Sequence, residues 1–277
     1  MSDRRAAILG TGTSPWALMT HRGWLPACIF VLLMGLWEGA ARAGLVDPMV
    51  LPAPSDVVAN LIGGLRSGLY LTHLEVTLFQ AASGFALACV LGIGFGSLTT
   101  LSERFSRALQ PILIAVESTP KIALAPLIIV WFGYGPGSKI VLAGAIAFFP
   151  VFVSTVAGLR AAEPGRLDVL RALGAGRGQL FRLVALPGAL PHIFAGINVA
   201  VVLALLGTIV GEFMGAKQGM GTLILYANGN LDTAQVFSIL LVLAAIGLSL
   251  HWLIGGLRRR LLHWDGARTD AYAGAGS

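Results

Sequence analysis

The sequence predicts an all-α, multi-pass membrane protein, and its composition and long apolar runs are the basis of that prediction. Of the 277 residues, 56% are hydrophobic and only 12% are charged, whereas soluble domains carry roughly 25% charged residues. A helix that crosses about 30 Å of hydrocarbon needs about 20 apolar residues, and it must pair its backbone groups within its own segment. Six transmembrane helices are therefore predicted: Trp24–Ala41, Leu74–Leu101, Leu109–Phe132, Lys139–Leu159, Leu190–Met214 and Ala234–Leu257.

The positions of the basic residues predict the orientation of these spans. If the N-terminus is cytoplasmic, most of the 19 Lys and Arg residues fall in cytoplasmic segments. Only Arg42, Arg66, Lys139 and Lys217 fall on the other side, and Lys121 lies within a span. Since Lys and Arg concentrate in cytoplasmic loops, both termini are predicted to be cytoplasmic. The net charge of +6 is thereby explained by topology, and no nucleic-acid partner is expected.

Three regions follow from this topology. Residues 1–23 form a polar segment, predicted to be mobile and cytoplasmic; residues 24–257 form the transmembrane domain; and residues 258–277 form a basic cytoplasmic tail. The first apolar run resembles a signal peptide, but it is long for one and carries Glu38 and Arg42 at its far end, so a retained helix is favoured. Pro52 and Pro54 interrupt the following outer segment, where Ser55 is predicted to cap a short helix.

Small residues recur at every fourth position in two spans. One stripe comprises Gly84, Ala88, Gly92 and Gly96, and the other comprises Gly207, Gly211 and Gly215. Such stripes allow helix backbones to approach closely in a membrane. Packing within the chain is favoured over a dimer seam.

A basic segment, Arg160–Pro187, separates two of the apolar runs. Its composition predicts a cytoplasmic helix–turn–helix: a first helix over Asp168–Leu173, a turn at Gly174, Gly176 and Gly178, and a second helix over Gln179–Leu186 that Pro187 and Pro191 end. The apolar side of the hairpin is predicted to comprise Leu170, Leu173, Leu180, Phe181 and Val184.

The spacing in this segment resembles the EAA loop of binding-protein-dependent ABC importer permeases. Asp168 stands for the glutamate of the family pattern, Gly174 for its glycine, Val184 for its isoleucine, and Leu186-Pro187 match directly. Val169 and Leu170 replace the usual alanines. Further blocks are similar to the nitrate/sulfonate/taurine branch: Pro120–Pro126, Trp131–Gly133, Ser138–Ile140, Phe148–Pro150, Gly219–Gly221 and Trp264.

This resemblance implies a type I ABC importer permease fold and a transport subunit of the bacterial inner membrane. It implies that two permeases pair as a homodimer, that two cytoplasmic ABC ATPase subunits bind the EAA-like loop, and that an extracytoplasmic solute-binding protein delivers the solute. The coupling residues would be Asp168, Val169, Leu170, Gly174, Val184, Leu186 and Pro187. ATP would be bound by the partner subunit, and the chain itself would hold no cofactor.

No catalytic or metal motif is recognisable in the chain. The phosphate-binding G-x-x-x-x-G-K-[ST] pattern, the H-E-x-x-H pattern, Cys/His metal spacing and G-x-S-x-G are absent from the sequence. The chain is therefore expected not to be an enzyme, and an intramembrane enzyme is disfavoured. An ion-coupled secondary transporter is also disfavoured, because such proteins often show inverted repeats and none is visible here.

Charged residues inside the apolar runs are candidates for the translocation path. A central Lys costs on the order of 3 kcal/mol on insertion scales, so Lys121 requires a partner or a function. Glu117, four residues earlier, is placed to pair with it, and Ser118, Thr119 and Pro120 predict a break in the helix. Lys121 either attracts an anion or only neutralises Glu117. Glu212, near the outer end of the fifth run, is a further candidate.

The sequence is compatible with two classes of solute. The resemblance favours a small anion such as a sulfonate, taurine or nitrate. A pyrimidine or vitamin-precursor type of solute is the alternative within the same importer class, because the block Pro120–Pro126 does not separate the two.

Overall fold

The structure is a computed structural model that describes residues 15–162 and 164–262, and every regular element in them is helical. Three parts of the chain lie outside the described residues: residues 1–14, Glu163, and the tail from His263 onward, which includes Trp264. The described residues contain eleven α-helices joined by short turns, with one 3₁₀ segment at Lys121–Leu124 and one π-helical segment at Phe181–Ala185. The α-helices are α1 Pro15–Arg42, α2 Pro54–Arg66, α3 Leu69–Leu101, α4 Glu103–Ser118, α5 Ala125–Phe132, α6 Pro136–Arg160, α7 Pro164–Ala172, α8 Arg177–Leu180, α9 Leu186–Phe213, α10 Met220–Gly229 and α11 Thr233–Leu261.

Four helical stretches among the described residues are long and apolar enough to cross a membrane. They are α3, α6, the continuous stretch Arg177–Phe213, and α11. A bent pair, Arg104–Ser118 and Lys121–Phe132, meets at 87° and counts as a fifth span if both halves cross as one. The prediction of six spans is therefore supported for four or five segments, and α1 as a further span stays a prediction.

Helix α6 forms the centre of the bundle because α3 and α9 both pack along it. Where the three helices meet, small and β-branched side chains are fully buried: Ala88, Ala147, Val151, Ala200 and Ala204. Large apolar side chains such as Phe30, Val90 and Leu253 are instead more than half exposed. Since exposed apolar surface of this extent is unfavourable in water, the arrangement fits a protein surrounded by lipid.

Both stripes of small residues face α6, which confirms that they serve packing within the chain. A Cβ atom on Gly92 would lie 2.8 Å from Cβ of Val151, and one on Gly207 would lie 2.9 Å from Cα of Ala143. Gly215 departs from the pattern because it lies beyond the end of α9, with φ of +109°. The stripes therefore set how closely α3 and α9 approach α6.

Pro187 and Pro191 do not end the second arm of the hairpin, and that prediction is wrong. The chain stays helical from Arg177 through Phe213. The reason is the π-helical segment before Pro187, in which the N–H of Leu186 donates to the carbonyl of Phe181, five residues earlier. A π-bulge rearranges the hydrogen bonds that a proline would otherwise disrupt, so the helix passes through Pro187 without stopping.

Helix α2 begins at Pro54, one residue before the predicted cap, so Ser55 is not its N-cap residue. The cap comes from the end of α1 instead. Glu38 accepts hydrogen bonds from the Ser55 N–H at 3.0 Å and from its hydroxyl at 2.7 Å. Arg42 donates to the Asp56 carboxylate at 2.9 Å. These contacts join α1 to the start of α2, and Glu38 thus acquires a structural role.

The packing of α3 on α6 yields a test by matched glycine substitutions. Gly92→Ala is expected to lower the free energy of unfolding by about 1–3 kcal/mol, because overpacking forces the two helices apart. Gly94→Ala is the control, because a Cβ at Gly94 meets nothing within 4 Å. Thermal unfolding of both variants in detergent measures the difference. Equal melting temperatures would show that α3 and α6 are not in close contact at Gly92.

Candidate coupling hairpin and polar sites of the bundle

The predicted turn at the centre of the hairpin is present and is closed by backbone hydrogen bonds. Gly174 has φ of +80°, a conformation that costs an L-residue with a side chain roughly 1–2 kcal/mol. The N–H of Ala175 donates to the carbonyl of Leu170 at 3.0 Å, and the N–H of Gly174 donates to the carbonyl of Arg171 at 3.0 Å. These bonds end α7 and turn the chain into α8.

The second arm of the hairpin begins with a side-chain cap. The Gln179 side-chain oxygen accepts a hydrogen bond from the Gly176 N–H at 2.8 Å. The turn from Leu173 to Gly176 is therefore fixed at both sides, by backbone bonds at the end of α7 and by Gln179 at the start of α8. This rigidity suits a loop that transmits force between proteins.

The tip of the hairpin exposes apolar side chains. Val169 is 61% exposed and Leu173 is 77% exposed, so the predicted apolar side of the hairpin is open to its surroundings at Leu173. Leu170 is half-buried. Asp168 and Arg171 form an exposed ion pair at 2.9 Å beside them. The tip therefore presents both apolar side chains and an ion pair at the surface of the hairpin.

The other coupling candidates lie at the base of the hairpin, where it joins the bundle. Val184, Leu186 and Pro187 are half-buried. Leu186 and Phe181 pack against a buried cluster of Leu159, Ala189 and Ile193. The second arm continues without a break into α9, which is long and apolar enough to cross a membrane.

The predicted break after the fourth helix is confirmed. Helix α4 ends at Ser118, Thr119 and Pro120 are extended, and the 3₁₀ segment begins at Lys121. The Lys121 ammonium donates to the backbone carbonyl of Glu117 at 3.3 Å and lies 4.7 Å from the centroid of the Phe149 ring. The expected ion pair with the Glu117 carboxylate is not formed. The break leaves the backbone carbonyl of Glu117 without its helical hydrogen-bond donor, and the Lys121 ammonium donates to this carbonyl instead.

Lys121 borders a cavity of about 520 Å³. Its wall combines the polar candidates Glu117, Ser118 and Thr119 with apolar side chains of α6 and α9, namely Ile146, Phe149, Pro150, Leu203 and Leu206. Sequence reasoning did not identify Phe149 as a partner of Lys121, since the two lie on different helices. The cavity offers one ammonium group and one aromatic face to a small molecule.

Glu212 lies elsewhere, fully buried near the C-terminal end of α9. Its carboxylate accepts a hydrogen bond from the Thr77 hydroxyl at 2.7 Å and another from the Gly221 N–H at 2.6 Å. The Met220 N–H in turn donates to the Thr77 hydroxyl oxygen at 2.8 Å. Glu212 and Thr77 together satisfy the first two N–H groups of α10, which an isolated helix leaves unpaired.

A carboxylate also suits this position electrostatically, since negative charge is stabilising at a helix N-terminus. The close approach requires Gly219, where a Cβ atom would overlap the Glu212 carboxylate. Glu38 makes the analogous contact with α2, also to the N–H of the second helical residue. The short helices α2 and α10 are therefore each capped by a carboxylate from the end of a preceding long helix.

Comparison with known proteins identifies the class to which this arrangement belongs. Residues 88–263 match the family described as binding-protein-dependent transport system inner membrane component. The chain belongs to this family: it is an ABC importer permease subunit and a multi-pass membrane protein. Members of the family work together with ATPase and solute-binding partner proteins.

Two bacterial relatives indicate to which branch of this permease family the chain belongs. The chain is 36% identical over 239 residues to the formylaminopyrimidine transport permease of Halalkalibacterium halodurans, covering 86% of this chain and 95% of that permease. It is 34% identical over 243 residues to the putative aliphatic sulfonates transport permease of Bacillus subtilis, covering 87% and 88%. With a taurine transport permease of Escherichia coli at 31% identity, these place the chain in the sulfonate/taurine/nitrate branch.

The fold is also that of solved transporters. An inward-facing structure of the methionine ABC transporter MetNI is similar with a TM-score of 0.60 and 21% identity, covering 68% of this chain and 94% of that chain. An amino acid ABC transporter with histidines is similar with a TM-score of 0.55 and 19% identity, covering 72% and 97%. At these identities the likeness shows a shared fold.

The contacts of Glu212 lead to a test of the outer cap. Glu212→Ala is expected to lower the free energy of unfolding by about 1–3 kcal/mol for each buried donor left unpaired. Glu38→Ala is the matched control and is expected to have a smaller effect, because Glu38 and Arg42 are partly exposed to solvent. Thermal unfolding in detergent compares them. An equal loss in both variants would contradict the importance of burial at Glu212.

Proposed function

We propose that this chain is the transmembrane subunit of an ATP-driven importer that passes a small solute from an extracytoplasmic binding protein to the cytoplasm. The family match supports the class of transporter, and the hairpin supplies a surface through which a cytoplasmic ATPase would act. ATP binding and hydrolysis belong to that partner in the proposal. The protein lies in the bacterial inner membrane with both termini in the cytoplasm, and two copies pair around the path.

The hairpin geometry is the observation on which this proposal depends most. Val169 and Leu173 are exposed at its tip, the turn is fixed by Gly174, and the second arm continues into α9. ATP-driven closure of the ATPase pair would move the two hairpins, and each hairpin would move its own α9. Val169 and Leu170, in place of the usual alanines, would then contact the ATPase groove or support the residues that do.

A small anion such as a sulfonate, taurine or nitrate is the solute we propose. Lys121 supports it, because its ammonium group borders the cavity and contacts a neutral carbonyl and an aromatic ring instead of a carboxylate. A pyrimidine-type solute is the second candidate, supported by the Phe149 ring in the same cavity and by the relative named for formylaminopyrimidine transport.

A substitution at the turn tests the coupling. Gly174→Ala is expected to reduce the stimulation of ATP hydrolysis by the solute-loaded binding protein, because alanine disfavours φ of +80° by roughly 1–2 kcal/mol. Gly174→Asn should retain more stimulation, since asparagine adopts left-handed backbone more readily. The assay measures ATP hydrolysis and solute uptake in proteoliposomes that contain the permease and ATPase.

Gly178→Ala provides the control for that series, because Gly178 has no positive φ and a Cβ there meets nothing within 4 Å. It should behave as the unmodified protein. Full stimulation in Gly174→Ala, at normal membrane levels of the complex, would show that the turn geometry is not required for coupling.

The charge in the path is tested at Lys121. Lys121→Met is expected to lower uptake of an anionic solute about tenfold while leaving membrane levels unchanged, because a charge-assisted hydrogen bond to the solute is lost. Lys121→Arg, which keeps the charge, should retain most of the uptake. Normal anion uptake by Lys121→Met would remove the support that this residue gives to an anionic solute.

A further inference from the structure

A second and larger cavity, of about 910 Å³, lies at the outer end of the bundle. It is bounded by the start of α3, by the turn before α6, and by the segment after α9. Its volume is within the range of about 300–1,000 Å³ typical of small-molecule sites. Phe79 and Tyr134, which are 62% and 71% exposed, stand in its wall and supply apolar surface for a ligand.

Two buried polar side chains also line this cavity. Lys139 is 1% exposed, and its ammonium donates to the backbone carbonyl of Tyr134 at 2.8 Å. An ammonium group has three N–H donors, so this bond uses one of them. Gln80 is 4% exposed, and its buried side-chain oxygen has no hydrogen-bond partner among the described residues. Leaving such an oxygen unpaired is unfavourable, and a bound ligand would remove that cost.

The nearest buried carboxylate, that of Glu212, forms no hydrogen bond with the Lys139 ammonium. Glu212 interacts with Lys139 electrostatically, but its two oxygens accept hydrogen bonds from Thr77 and Gly221 at the start of α10. In the described part of the chain, no ion pair within contact distance joins the two residues. Lys139 is therefore held in place by Tyr134 and keeps donors for a ligand.

We propose that this outer cavity is a solute-binding site of the permease itself, at which Lys139 binds an oxyanion group and Gln80 accepts a hydrogen bond from an N–H group of the same solute. This proposal rests on the proposed import function and specifies where the solute is first bound after it leaves the binding protein. The chemistry selects a small molecule that carries both an oxyanion and an amine or amide donor. Lys139 and Gln80 are then specificity-determining residues.

The test measures binding to the purified permease–ATPase complex in detergent, without the binding protein. The probes are taurine, which carries a sulfonate and an ammonium group, and ethanesulfonate, which lacks the nitrogen. The concentration dependence of the melting temperature gives an apparent Kd for each probe. Taurine is expected to bind more tightly than ethanesulfonate, because only taurine can donate to Gln80.

Two isosteric substitutions separate the two contacts. Lys139→Met is expected to weaken both probes about tenfold, since each loses a charge-assisted hydrogen bond. Gln80→Met is expected to abolish the preference for taurine while leaving ethanesulfonate binding unchanged. Gln80→Met should also raise the melting temperature of the ligand-free complex, because it removes an unpaired buried oxygen. A residue with a purely structural role would not combine higher stability with lost taurine preference.

Arg66→Met is the control, because Arg66 is exposed and is not among the residues that line this cavity, and exposed charges contribute little. It should leave both Kd values within about twofold. Absence of a melting-temperature shift with either probe, or an unchanged Kd in Lys139→Met, would overturn the proposal. ATP-dependent uptake in proteoliposomes is measured in parallel: uptake without binding at this cavity overturns the site alone, whereas loss of all ATP-dependent uptake in the unmodified complex overturns the import function.

Discussion

The structure depends on one constraint, which is that backbone polar groups removed from water must find partners inside the protein. At several points in the described residues where a helix starts or breaks, a specific contact meets this requirement. Glu212 and Thr77 bind the first N–H groups of α10, and Glu38 binds the start of α2. Lys121 binds the Glu117 carbonyl at the break. The π-helical segment carries the chain past Pro187.

Close packing of α3 and α9 around α6 joins these helices into one unit that can transmit motion. The glycines of α3 and α9 allow backbone approach to α6, and interiors packed at this density shift as units instead of deforming gradually. The hairpin is attached to that unit through α9, since the chain is continuously helical from Arg177 to Phe213. The exposed tip at Val169 and Leu173 is thus joined, through the turn at Gly174, to a helix whose Leu203 and Leu206 border the cavity beside Lys121.

Much of the fold was predictable from the sequence because local patterns determine it. Apolar runs predicted the long helices, Gly174 predicted the turn, and Pro120 predicted the break. The contacts that complete the sites could not be predicted, because they join residues far apart in the chain: Thr77 and Glu212, or Lys121 and Phe149. The expectations for Ser55 and Pro187 were wrong for the same reason, since a cap from Glu38 and a π-segment replaced the local rules.

The most direct test of the account is whether the hairpin and α9 move as one body. Spin labels at positions 173 and 199, both exposed in this chain, would report their separation within one copy by electron paramagnetic resonance. The account predicts the same distance distribution with and without ATP, while the distance between the labels at position 173 in the two copies shortens. A change in the separation within one copy on ATP binding would contradict a rigid connection between the hairpin and the membrane-spanning bundle.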